Sequence, residues 1–216
     1  MSTAAPTTKL PPSSITVKRI STPEEFSIAH EIAVAAFGQH DSLYGPVSSR
    51  PEWNLLESQQ AASHPSLRFY LAFDNTTGRA LGYAKWNFVR TPSDAAVKEV
   101  APVGCDPALR ASFFGSQAEK RLERWEGGKL PFAHMWVLCV SPDAQKRGVG
   151  KQLLKVGLED AEKEGFRYSY IEGGAKGKVL YERMGWKSEG KWESDVSGFG
   201  TVKVDLMVRD AEDFKQ

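Results

Sequence analysis

The sequence predicts a single α/β domain with a mixed sheet, and three observations carry that prediction. Alternating strand patterns and helical apolar stripes follow one another along the chain with no linker between them. Apolar residues make up 41% and charged residues 25% of 216 residues, the composition of one ordinary globular domain. The most apolar strand candidate, Phe132 to Val140, runs through a short glycine-bearing loop directly into a helix.

The elements can be justified in order. Residues 1–14 are rich in Ser, Thr and Pro and read as a disordered tail, leaving 15–210 as the domain. Ile15 to Ile20 alternates as a half-buried strand does. Thr22-Pro23-Glu24-Glu25 supplies an N-cap, a first-turn proline and two acids, predicting a helix to about Phe37 that ends near Gly38. Glu52 to Ala62 reads as a second helix. Arg68 to Phe73 and Ala80 to Val89 form a hairpin about Asp74 to Gly78.

Residues 91–128 read as an insert: three prolines from Thr91 to Pro107, then a helix over Ser112 to Glu126 with Phe114, Ala118, Leu122 and Trp125 on one stripe. After the Phe132 to Val140 strand, Val149 to Glu164 is a helix facing inward with Leu153, Leu154, Leu158 and Ala161. Phe166 to Glu172 is a strand, Lys178 to Met184 a short helix, and Trp186 to Trp192 with Thr201 to Val208 a closing hairpin.

Several function classes are excluded. With 28 basic against 27 acidic residues the net charge is +1, which does not fit a strongly basic nucleic-acid binder. The longest apolar run has nine residues, whereas a spanning helix needs about 20, so no membrane partner is expected. Cys105 and Cys139 cannot build a disulfide framework or a four-cysteine zinc site, and His30, His40 and His64 have no metal spacing, so no metal is expected. Without a signal or transit pattern, the expected location is the cytoplasm.

The chemistry lies in Met135 to Leu154. Unsatisfied N–H groups and the dipole at a helix start attract anions, and Gly148 and Gly150 permit close backbone approach. Lys146, Arg147 and Lys151 add positive potential, so Gln145 to Lys151 suits a pyrophosphate. A Walker loop fails, because Gly150-Lys151 is followed by Gln152 and the upstream glycine falls on Gln145. A dinucleotide fingerprint fails at Leu153.

The remaining pattern, Gln/Arg-x-x-Gly-x-Gly/Ala between an apolar strand and a helix, resembles the acetyl-CoA loop of the GNAT superfamily of N-acetyltransferases. Leu180-Tyr181-Glu182-Arg183-Met184-Gly185-Trp186 resembles that family's second signature, with Trp in place of Phe. The resemblance is tight over 132–186. It is nearest to small fungal members, from the Gly-Gly-Lys before the strand and the LYERMGW segment. It implies a mixed, mostly antiparallel sheet with a splayed parallel strand pair, flanked by helices. It also implies acetyl-CoA as co-substrate, its pyrophosphate on Gln145, Lys146, Arg147, Gly148, Val149, Gly150 and Lys151, and its pantetheine on Leu138, Cys139 and Val140. Gly173-Gly174 depart from the pattern where many members place an Asn.

Amide formation requires an amine to lose a proton, a stabilised carbonyl oxygen and a protonated leaving thiolate. Tyr181 resembles the family's general acid. For the base, the resemblance places His134 where one branch has a catalytic Glu and another a His, and an imidazole titrating near neutrality suits the task. Plain alternation puts His134, Trp136, Leu138 and Val140 on one face and Ala133, Met135, Val137 and Cys139 on the other. His134 and Leu138 then stand about 13 Å apart, which favours a water relay. Glu172, where the strands are expected to splay, is the competing base. Cys139 reads as a small buried hydrophobe rather than a nucleophile. Tyr83, Trp86 and Phe88 pack the sheet, with Trp86 also a candidate for the acceptor pocket.

The expected activity is direct acetyl transfer to an amine of a small molecule or peptide. The alternatives are a non-catalytic acyl-CoA-binding or regulatory module of the same fold, an O-acceptor, or a longer acyl donor. A homodimer is compatible with this reading. The insert, long and irregular, is expected to wall the acceptor pocket.

Overall fold

The structure, a computed structural model, describes residues 14–38, 46–196 and 200–214, so the expected tail lies outside the described residues except for Ser14. The strands are β1 (Ile15–Arg19), β2 (Leu67–Asp74), β3 (Ala80–Val89), β4 (Phe132–Val140), β5 (Tyr168–Gly174), β6 (Lys187–Val196) and β7 (Gly200–Asp210). The main helices are α1 (Pro23–Phe37), α2 (Arg50–Ser63), α3 (Pro107–Arg124), α4 (Val149–Lys163) and α5 (Ala175–Arg183). The seven strands form one sheet in the order β1-β2-β3-β4-β5-β7-β6. Every pairing is antiparallel except β4 with β5.

Local chemistry explains the boundaries. Thr22 caps α1 through a reciprocal capping box with Glu25, and Gly38 ends the helix at φ 96°. α3 starts five residues before the expected Ser112, because Asp106 accepts from the N–H groups of Ala108 and Leu109 and Pro107 occupies the first turn. β5 starts two residues after the expected Phe166. That residue closes the end of α4 instead, its N–H donating to the Ala161 carbonyl after Gly165 at φ 85°.

Two cores flank the sheet. α4 and α5 cover one face, where Leu153, Leu154, Leu158, Ala161 and Tyr181 pack with Trp86, Trp186 and Met207. Gly157 brings α4 against Trp86, since a Cβ there would lie 2.5 Å from the indole. Trp86 is therefore a core residue and does not line an acceptor pocket. α1 covers the opposite face, setting Phe26, Ala29, Ile32 and Ala33 on Phe69, Leu71 and Tyr83. On that side Trp125, at the end of α3, stacks on Phe132 with ring centroids 4.5 Å apart.

The expected stripe of α3 is not its buried side. Phe114 and Leu122 are 36% and 39% exposed, whereas Leu109, Gln117 and Trp125 are buried and Arg121 partly so. Trp125 anchors the helix, so residues four and eight positions before it turn toward the sheet.

β4 also departs from plain alternation. Lys85 pairs with Val137 and Trp86 with Met135, leaving Trp136 as an extra residue in a bulge. Beyond the bulge the faces exchange. Leu138 and Val140 join Ala133 and Met135 on the α4 face, while Val137 and Cys139 lie on the α1 face. The expected separation of His134 from Cys139 onto opposite faces is thereby corrected.

Candidate active site

Parallel pairing between β4 and β5 is brief: Phe132 with Tyr168, Ala133 with Ser169 and His134 with Tyr170. Past His134 the strands part, so the β5-side edge of Met135 to Val140 has no ladder partner. The splay expected from the sequence is present, and it leaves backbone donors and acceptors open to a ligand.

The loop from β4 into α4 lies at one end of this opening. Lys146 at φ 61° and Gly148 at φ 95° turn the backbone so that α4 begins at Val149, with its first N–H groups unpaired within the helix. Gln145 donates from Nε2 to the Val140 carbonyl at 3.2 Å, tying the loop to the strand end. A Cβ at Gly150 would lie 3.2 Å from Leu180 and 3.7 Å from Val140, so α4, α5 and β4 meet closely there. Among the described residues, Lys146, Arg147 and Lys151 form no ion pair, whereas nearby Asp143 is held 2.6 Å from Arg79. An open strand edge beside a cationic, glycine-bearing helix start fits a phosphate-bearing ligand with an extended arm.

His134 and Glu172 meet at the mouth of the splay, with His134 Nε2 and Glu172 Oε2 2.7 Å apart. Arg121, from α3, donates to the other carboxylate oxygen at 2.6 Å. His134 is 3% exposed and packs against the rings of Phe132, Trp136 and Tyr170. Burial, its strongest influence, holds the imidazole below its ordinary value. Glu172 opposes that effect and Arg121 adds to it. Burial raises the Glu172 carboxyl, but His134 and Arg121 outweigh it and hold the group below the usual carboxylate range. The arrangement is thus a neutral imidazole donating from Nε2 to an ionised carboxylate, which leaves Nδ1 as the unprotonated nitrogen.

Tyr181 lies on the other face of the sheet, on α5. Its hydroxyl rests over Gly177, where a Cβ would stand 2.5 Å from the oxygen, and its ring lies against Gly173. Burial pushes its phenol up to about 12, so it is protonated at neutral pH. The buried Cys139 thiol is pushed up to about 12 by burial and donates to the Tyr83 carbonyl, which matches the expectation of a small core residue.

The structure brings His134 and Glu172 into contact and sets Leu138, Val140, Gln145, Gly148 and Gly150 around the opening; Cys139 turns inward. Sequence reasoning missed Arg121, which has no local signature. It also missed a buried network on the α1 face. There His30 bonds Asn54 and Glu57, and Lys85 donates to Glu57 at 2.6 Å.

A mixed sheet split between its parallel strands, and met there by a phosphate-receptive helix start, belongs to a class of acyl-group transferases. The sequence matches the Acetyltransferase (GNAT) family over residues 31–186, and the chain belongs to that family. No curated relative matches the sequence. Solved structures share the fold. A variant spermidine N-acetyltransferase, SpeG, from Vibrio cholerae is 13% identical with TM-score 0.60, covering 94% of this chain and 98% of that one. Histone acetyltransferase HPA2 and related acetyltransferase from Corynebacterium glutamicum is 20% identical with TM-score 0.58, covering 91% and 96%. The protein yncA from Salmonella typhimurium, solved with its cofactor acetyl-CoA, is 13% identical with TM-score 0.58, covering 91% and 94%. Among the described residues no helix is long and apolar enough to cross a membrane.

Proposed function

We propose that the protein transfers the acetyl group of acetyl-CoA directly to an amine of a small molecule or peptide. The observation that carries this reading is the buried His134–Glu172 contact at the point where β4 and β5 part. The first turn of α4, with Lys146, Arg147 and Lys151, binds the pyrophosphate. The open edge of Leu138 to Val140 bonds the pantetheine arm and aligns the thioester.

His134 is the general base, removing the amine proton through Nδ1 or one intervening water. Glu172 fixes its tautomer and stabilises the imidazolium as it forms. A carboxylate already bonded to Arg121 is a weak base, which favours His134 over Glu172 in that role. Tyr181, protonated and on the far side of the split, supplies the proton to the departing thiolate. Acceptor and co-substrate thus approach from opposite faces, the acceptor from the side of α1 and α3. The insert walls the acceptor side, supported by the reach of α3 to Glu172. The resemblance to small fungal members and a cytoplasmic location remain part of this reading.

Thermal unfolding with acetyl-CoA, followed by thiol release with a panel of amines, tests it. A raised Tm together with amine-dependent thiol release is the expected result. Binding without turnover across the panel would replace the enzyme by an acyl-CoA-binding module, and no Tm shift at saturating acetyl-CoA would overturn both.

A further inference from the structure

We propose that Arg121 is a positioning residue of the His134–Glu172 pair, carried into the site by the helix of the insert. The inference rests on His134 being the base and goes beyond it, by assigning part of the acid–base tuning to a segment outside the 132–186 signature region.

Three contacts aim Arg121. Trp125 stacks on Phe132 and meets Tyr170 edge-on at 5.9 Å, which locks the end of α3 onto β4 and β5. Arg124 binds Glu189 of β6 through two bonds of 2.7 and 3.1 Å, which fixes the same turn from the outside. Arg121, one turn before Trp125, then projects onto Glu172 Oε1 while His134 holds Oε2. The charged and titratable groups facing the imidazole are Glu172 and Tyr170 from β5 and Arg121 from α3. β4 itself offers only the rings of Phe132 and Trp136.

Electrostatics gives the direction of the effect. Burial is the largest influence on the imidazole and lowers it, while Glu172 pulls the other way, toward the imidazolium. Arg121 offsets the carboxylate charge without displacing its hydrogen bond to Nε2. The imidazole therefore keeps its orientation and stays neutral, ready to accept a proton.

Proton NMR titration of the imidazole resonances, with the His134 signal assigned by its loss in His134→Ala, tests this without any acceptor. In Arg121→Gln the His134 midpoint should rise by about one pH unit, the size expected when a neighbouring charge is removed. Arg121→Lys should restore it, and Lys120→Gln, which removes an exposed charge of the same helix paired with Glu123, should leave it unchanged. A midpoint unmoved in Arg121→Gln, or moved equally by Lys120→Gln, overturns the inference. If Arg121→Gln does not fold, Glu172→Gln is compared with the double variant Arg121→Gln/Glu172→Gln. The midpoint should be higher in the double variant, and equal midpoints overturn the inference. The base assignment fails separately, through an unchanged acidic limb of kcat/KM in His134→Ala.

Discussion

His134, in the last backbone pair between β4 and β5, touches Glu172, two residues beyond its partner Tyr170, at 2.7 Å. Their contact bridges the site where the sheet opens, so it both closes the end of the parallel ladder and arms the opening with an oriented imidazole.

His134→Ala should remove the acidic limb of the kcat/KM profile and lower kcat by about 10²- to 10⁴-fold, the range of general base catalysis. In the wild type that limb should fall below the ordinary histidine value near 6.5, since burial and Arg121 hold the imidazole down. Glu172→Gln removes the group that raises His134 and should shift the limb to still lower pH. A pH–rate series on the three proteins checks both.

Gly148→Glu should abolish the Tm rise given by acetyl-CoA. It places a carboxylate at the start of α4 and a side chain at φ 95°, where L-residues are strained by about 1–2 kcal/mol. Gly148→Asn, better tolerated in that conformation, should keep most of the shift. Thermal scans at low and high salt check this, because a pyrophosphate held by three cations should bind more weakly as salt rises.

Tyr181→Phe should lower kcat by at least about tenfold while leaving acetyl-CoA affinity nearly unchanged, as expected for loss of a general acid. Gly177→Ala should do the same indirectly. It favours the helix by up to about 1 kcal/mol, yet its Cβ needs the space that the Tyr181 hydroxyl occupies. Gly174→Ala, with no atom within 4 Å of its Cβ, serves as the neutral comparison in steady-state assays.

Lys85→Met should destabilise the fold by about 3–5 kcal/mol, the cost of leaving Glu57 buried without its cation. Burial raises Glu57, but Lys85 and His30 outweigh it and hold the group well below the ordinary value. Its folded pKa lies below its unfolded pKa. The stabilisation is therefore complete above the unfolded value near about 4.3 and is lost as pH falls from there toward the folded one. Urea unfolding of wild type and Glu57→Gln between neutral and acid pH should show the wild type losing the extra stability on acidification.

The legible parts of this fold were those whose cause is local. The cap at Thr22, the apolar run of β4 and the inward stripe of α4 each follow from residues within one or two turns. Leu153, Leu154, Leu158 and Ala161 are all buried as their spacing requires. The glycines of the α4 start and the split between β4 and β5 were likewise anticipated. What escaped depends on partners distant in sequence. The Trp136 bulge is a matter of register with β3, and no pattern within β4 announces it. The face of α3 is chosen by where Trp125 finds Phe132, so the apolar Phe114–Leu122 stripe misled. Arg121 matters only because β5 delivers Glu172 to it. Gly177, four residues before Tyr181, was within reach of helical periodicity, since i and i+4 share a face.

The Trp136 bulge also sets how this strand tolerates change in length. Up to His134 the strand presents an acid–base side chain toward α3, and after the extra residue it presents Leu138 and Val140 toward α4. Because the bulge absorbs the extra residue, deleting Trp136 alone would restore plain alternation and leave Leu138 and Val140 on the α4 face and Cys139 on the α1 face. Deleting Val137 as well would exchange the two faces, sending Leu138 and Val140 under α1 and Cys139 toward α5. The single deletion should therefore keep acetyl-CoA binding and the double deletion abolish it, as read by the Tm shift. The strand carries one residue of slack between its acid–base end and the edge that faces α4.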